Sequence, residues 1–114
     1  MKVAFPAADV PIVQLSLKHG LDPVEHLALG RALAPLRRNG VLIIGSGMSY
    51  HNMRRFSVNN TDPDPDSVRF DAWLTETVGL PPDIREQRLT AWAATPGGRA
   101  SHPREEHLLP LHVC

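Results

Sequence analysis

Two short apolar runs constrain this chain more than any other feature: VPIVQLSL at residues 10–17 and VLII at residues 41–44. Both are rich in β-branched and aliphatic side chains and read as strands buried on both faces. Between them lies a segment with helix punctuation. Asp22 is placed to cap a helix whose first position is Pro23, and Leu29, Ala32, Leu33 and Leu36 keep helical spacing up to a stop at Asn39-Gly40. Pro35 lies inside that span and predicts a kink or an early end. Strand, helix and strand in so short a stretch make a βαβ unit with a right-handed crossover, hence a parallel pair. The expected fold class is therefore α/β, a sheet built on that unit with helices packed over it.

Downstream, SVNNTDPDPD at 57–66 reads as a surface loop. Helical patterns follow over Ser67–Val78 and Pro82–Ala94, then a second loop over 95–103. A last helix is expected from about Pro103, where Glu105 and Glu106 suit the positive end of a helix dipole. With 114 residues the chain is one small domain, and with 5% aromatic residues and eleven prolines its core is expected to come from Leu, Val, Ile and Ala.

Twelve basic and twelve acidic residues cancel, which leaves no electrostatic footprint for nucleic acid or for an anionic membrane surface. No apolar stretch is long enough to span a bilayer, and the N-terminus lacks a signal pattern. The single cysteine, Cys114, permits no internal disulfide, in keeping with a cytoplasmic protein. Both ends look cut: the first residues run almost directly into a strand-like segment, and EEHLLPLHVC stops inside an apolar one.

The chemistry centres on GSGMSYHNMR, residues 45–54, which follows the second apolar run directly. Loops leaving the C-terminal ends of strands collect ligands and catalytic groups, so His51 is a candidate. Of the other histidines, His19 and His26 read as surface residues, His102 as a cap for the last helix and His112 as structural. His107, in HPREEHLLPL, falls one turn into the expected last helix, where it can face a cleft with a neighbouring carboxylate orienting its ring. A half-buried histidine paired with Glu106 is the alternative. No HxxxH, HExxH, CxxC or GxSxG motif is present, so residue chemistry alone leaves the role of the pair open.

Taken together, DVPIVQLSL, LGRALAPLRRNGVLIIGSGMSYHNMR and HPREEHLLPLHV closely resemble, in order, the C-terminal half of class III extradiol ring-cleavage dioxygenases of the DOPA 4,5-dioxygenase type. The resemblance implies a partial catalytic domain over residues 1–114, lacking the N-terminal half and the extreme C-terminus. It implies opening of a catechol ring by O2 with a non-haem metal, Fe(II) for activity, with Zn(II) able to take the same site. It makes His107 a metal ligand and His51 an acid/base group over the substrate that does not bind the metal. Two further ligand histidines belong to the absent half, and His19 and His26 do not match them. A lone chain is accordingly expected to bind metal weakly, to lack turnover and to self-associate through uncovered apolar surface. The rival expectation is a non-catalytic remnant or binding module; a metal-independent hydrolase is disfavoured because His51 has no evident nucleophile to activate.

Overall fold

The structure, a computed structural model, describes residues 5–56 and 62–114. It contains α1 (Pro23–Arg37), α2 (Pro65–Val78), α3 (Pro82–Thr90), a 3-10 turn (Trp92–Ala94), and two short helices, α4 (Gly98–Ser101) and α5 (Leu109–Val113). The Asp22 carboxylate accepts from the Glu25 amide at 2.9 Å, and Pro23 occupies the first turn, where its missing N–H costs nothing. Pro35 sits in the last turn of α1 and does not break it. The helix closes just beyond, where the Arg38 amide donates to the Pro35 carbonyl at 3.1 Å. Asp64 caps α2 by accepting from Asp66 N at 3.0 Å, so α2 starts at Pro65, inside the expected loop; residues 57–61 of that loop lie outside the described residues.

The α/β expectation fails. Among the described residues there is no strand, and Val10–Leu17 and Val41–Ile44 have no regular structure and no backbone hydrogen bond to one another. Composition supplies the propensity for a strand but not the ladder that makes one, and Val41 N bonds back to Leu36 O at 3.2 Å instead. Nor are these runs buried: Val13 is 92% exposed and Leu42 70%.

The core forms elsewhere and from other residues. Leu27 of α1, Phe70 and Leu74 of α2, Leu89 of α3, Trp92 and Leu108 make one buried cluster. Phe70 stacks on Trp73 with centroids 5.6 Å apart and meets Trp92 at 6.3 Å. Aromatics are few, yet they fill the centre, because one buried ring excludes as much water as several small aliphatic groups. The Val and Ile side chains contribute nothing to this cluster, contrary to the expectation from composition.

Helix α1 is held against the C-terminus by a close approach at Gly30, where a β-carbon would lie 2.7 Å from the Val113 carbonyl oxygen. Two histidines line the same seam: His112, read as structural, is buried as expected, whereas His26 is not on the surface. His26 is fully buried, with Nδ1 donating to Asp22 O at 2.6 Å and Nε2 accepting from Lys18 N at 3.2 Å. The surface reading of His26 overlooked that a histidine whose two ring nitrogens are both paired can be buried neutral at low cost. His112 is 4% exposed and donates Nε2–H to Leu89 O at 3.1 Å.

Burial is the main cause that lowers the His112 pKa from 6.5, ahead of the opposing backbone contacts. The folded state thus binds the proton less readily than the unfolded chain. Stability should be fully present above pH 6.5 and fall as the pH drops below it, with a slope approaching about 1.4 kcal/mol per pH unit for this one proton. Denaturant melts between pH 7.5 and 5 should show this loss, and His112→Gln should reduce its slope.

Candidate metal and catalytic site

The loop GSGMSYHN is held on two sides. On its inner side Met48 N donates to His107 O and His51 N to Ser101 O, both at 2.9 Å. Asn52 completes the attachment: its Nδ2 donates to Ala100 O at 2.7 Å, and its Oδ1 accepts from Arg54 N at 3.2 Å. The approach at Gly47 is so close that a β-carbon there would overlap the His107 carbonyl oxygen. On the outer side Tyr50 OH donates to Asp64 Oδ2 at 3.0 Å, and Arg55 spans Asp64 and Asp66 at 2.8 and 2.7 Å. Burial and the Asp64 carboxylate both push the Tyr50 pKa up, so its hydroxyl stays a donor.

His107 is not one turn into a helix. Residues 103–108 form turns, and α5 begins only at Leu109. Pro110 explains the delay: it has no N–H to donate to Glu106 O, so helical bonding cannot run through this point. The turns are fixed by Leu108 N and Leu109 N, both bonded to Glu105 O, and by the buried Leu108 and Leu109 side chains. Arg99 adds an ion pair to Glu105 at 2.7 Å while its guanidinium covers Trp92 at 4.8 Å.

The outcome is that His51 and His107, 56 residues apart in sequence, bring their rings to 3.5 Å between centroids. Glu106 joins them, and one ligand atom from each of the three lies within 4.8 Å of the others, all half-buried. Donors bound to one divalent ion at about 2.1 Å stand roughly 3–3.5 Å apart, so these residues can close on an ion with small adjustments. The Glu106 carboxylate supports this fit: Oε2 is buried without a hydrogen bond, and Arg104 Nε, 3.2 Å away, pairs with it by charge but not in hydrogen-bond alignment. The sequence reading gave a neighbouring carboxylate the task of orienting His107 and, in its alternative, paired Glu106 with that ring; it did not make Glu106 a metal donor. Nothing in EEH marks which atom a carboxylate turns inward; that depends on the turns around Pro110.

Two open clefts flank the loop. One, of about 450 Å³, is lined by Ile43, Gly45, His107 and Pro110; the other, of about 610 Å³, by Tyr50, His51, Met53 and Phe56, with Gly47–Ser49 bordering both. His19 is exposed and takes no part. His102 does not cap the last helix but is fully buried against Phe70 and Trp92 at 5.6 and 6.0 Å. Both of its ring nitrogens lack a hydrogen bond, which costs about 1–3 kcal/mol for each unpaired buried group. Burial is the first cause that lowers its pKa, opposed by a backbone group of Ser49 that lies nearby without hydrogen-bond geometry.

The chain has named relatives over its full length. The chain is 39% identical over its whole length to a 4,5-DOPA dioxygenase extradiol of Beta vulgaris, and 40% identical to one of Portulaca grandiflora. It belongs with the 4,5-DOPA extradiol dioxygenases. A relative of the same name from Escherichia coli strain K12 is 32% identical over 94% of the chain. The chain spans only 42% of the length of the two plant relatives and 40% of the bacterial one. No family model and no solved structure matches it. Among the described residues no helix is long and apolar enough to cross a membrane.

Gly47→Ala should push the loop off the His107 carbonyl, break the Met48 bond and separate the two rings. The expected cost is about 1–3 kcal/mol of stability, the range for overpacking a tight contact. Loss of cross-ring NOEs between His51 and His107, with α1 and α2 intact by circular dichroism, is the result that checks it.

Proposed function

We propose that this chain forms part of the active site of an extradiol dioxygenase that opens a catechol-type ring with O2. The carrying observation is the meeting of the His51 and His107 rings beside the Glu106 carboxylate, in a chain related over its full length to enzymes of that name. His107 is read as a metal ligand, with Glu106 either beside it as a donor or orienting its ring. A non-haem divalent metal, Fe(II) for activity and Zn(II) by the same donor chemistry, would supply open positions for both catechol oxygens and for O2.

His51 then has the proton work. A catechol binds as an anion, so a hydroxyl proton must leave, and an imidazole can accept it near neutral pH at the hydroxyl it faces. The bond from its amide to Ser101 O fixes the backbone that carries the ring. Tyr50, Met53 and Phe56 give the cleft beside His51 the apolar wall and polar edge that suit an aromatic ring carrying hydroxyls. Residues 1–114 would thus be a partial catalytic domain, to be completed by a segment corresponding to the rest of the relatives.

A chimera tests this: residues 1–114 replace the matching stretch of the Beta vulgaris relative, and oxygen uptake is followed with catechols. Turnover with a yellow ring-opened product is expected. In that chimera His51→Ala should keep the metal and lose roughly 10²-fold or more in turnover, whereas His107→Ala should lose the metal itself. A metal-free His51→Ala protein would make His51 a ligand instead, and a chimera that folds, binds iron and consumes no oxygen would favour the non-catalytic reading.

The isolated chain should behave differently. Holding labile iron takes about three protein ligands in a preformed set, and with His51 given to proton work this chain offers at most His107 and Glu106. Ile12, Val13, Leu15, Leu42 and Ile44 are all more than half exposed, which favours pairing with a second copy. Sub-stoichiometric iron after anaerobic loading, no oxygen uptake, and a sedimentation coefficient that rises with concentration are the expected results. One firmly held iron per chain with steady turnover would overturn this.

A further inference from the structure

The short helix α4 ends in two consecutive carbonyls, those of Ala100 and Ser101, which a helix terminus cannot satisfy from within. Consecutive residues of the loop take them. His51 donates its amide to Ser101 O at 2.9 Å, and Asn52 donates its side-chain Nδ2 to Ala100 O at 2.7 Å. Asn52 is 8% exposed, and chemistry fixes which way its carboxamide faces: Nδ2 meets a carbonyl, and Oδ1 meets the Arg54 amide at 3.2 Å. Its main-chain oxygen receives the Arg55 and Phe56 amides, both at 3.1 Å, closing the turn that brings Met53 and Phe56 to the cleft wall. Such a turn needs only the Oδ1 acceptor, which Asp or Ser also supplies. What it does not require is the bond from Nδ2 to a carbonyl 48 residues away.

We propose that Asn52 is a positioning residue acting through His51: its carboxamide locks the histidine backbone to the end of α4 while it holds, on its other side, the turn that forms the cleft wall. One side chain thereby sets the place of the proton-handling residue relative to the wall against which an aromatic ring lies. The role rests on the catalytic reading for its purpose, since an acid/base group must stand within about 3 Å of the proton it moves. The attachment itself needs only the fold. Among short polar side chains only Asn carries a donor and an acceptor on separate atoms. A carboxylate would set oxygen against oxygen at Ala100, and an aliphatic group would leave both Ala100 O and Arg54 N without the bonds they make here.

Asn52→Ser separates the two tasks, because a hydroxyl can still accept from Arg54 N but is too short to reach Ala100 O as well. In the 114-residue chain, followed by amide hydrogen exchange, the His51 amide should exchange about 10-fold faster while those of Met48 and Phe70 keep their rates. In the chimera with the Beta vulgaris relative, kcat should fall about 10-fold with KM changed less than about twofold, because the turn and its wall survive. An unchanged His51 amide would overturn the proposal, as would a general loss of stability that accelerates all three amides together, or a chimera in which KM alone rises. Should Asn52→Ser fail to fold, the unsubstituted chain decides: an Asn52 Nδ2 proton should exchange slowly and show NOEs to Ala100, and rapid exchange without them would overturn the assignment. Amide exchange does not depend on turnover, so an inactive chimera with the His51 amide still protected would count against the dioxygenase reading alone.

Discussion

Everything proposed for this chain depends on a backbone attachment: the amides of Met48 and His51 reach the carbonyls of His107 and Ser101. Backbone bonds of this kind do not depend on which side chains stand at the four positions, and they fix the loop in two places rather than one. A loop pinned once can swing; pinned twice it has a defined face, and His51 lies on it. The close approach at Gly47 and the Asn52 bond to Ala100 O bring the backbones near enough for both attachments to form together. The carboxylate and the two imidazoles meet because main chain meets main chain first.

The chemistry was more legible in the sequence than the architecture. His51 after GSG and His107 after EE were singled out by the family resemblance rather than by any spacing motif, and the fold brings their rings together. Helix starts were legible from local signals: Asp22-Pro23 and Pro82 announce themselves through capping and fixed φ. The strands were misread because a strand belongs to a pair, and the apolar character of Val10–Leu17 does not say whether a partner exists. The late start of α5 turned on Pro110, whose missing amide hydrogen matters only once the helix register is known. Burial of His26 and His102 was hidden because it depends on contacts from residues distant in sequence, such as Phe70.

The buried histidines fall into two groups with different physics. His26 has both nitrogens paired and His112 has one, and both lie between α1, α3 and the C-terminus, where they hold helix ends. His102 packs edge-on against Phe70 and Trp92 of the cluster, with both ring nitrogens unpaired. Low dielectric raises the cost of leaving such a group alone and also strengthens any interaction it makes.

The two sides of the loop also respond differently to their surroundings. The inner attachment is made of two backbone hydrogen bonds, to Ser101 O and to His107 O beside the buried Leu108, and of the Asn52 side-chain bond to Ala100 O. The outer one relies on Arg55, 42% exposed, holding Asp64 and Asp66. Ions in solution weaken exposed charge pairs over roughly 8–10 Å at physiological strength and hardly touch buried amide bonds. Raising ionic strength thus loosens the Tyr50–Arg55 wall of the cleft while the His51 backbone stays seated, so that an entering molecule meets an adjustable rim around a fixed floor.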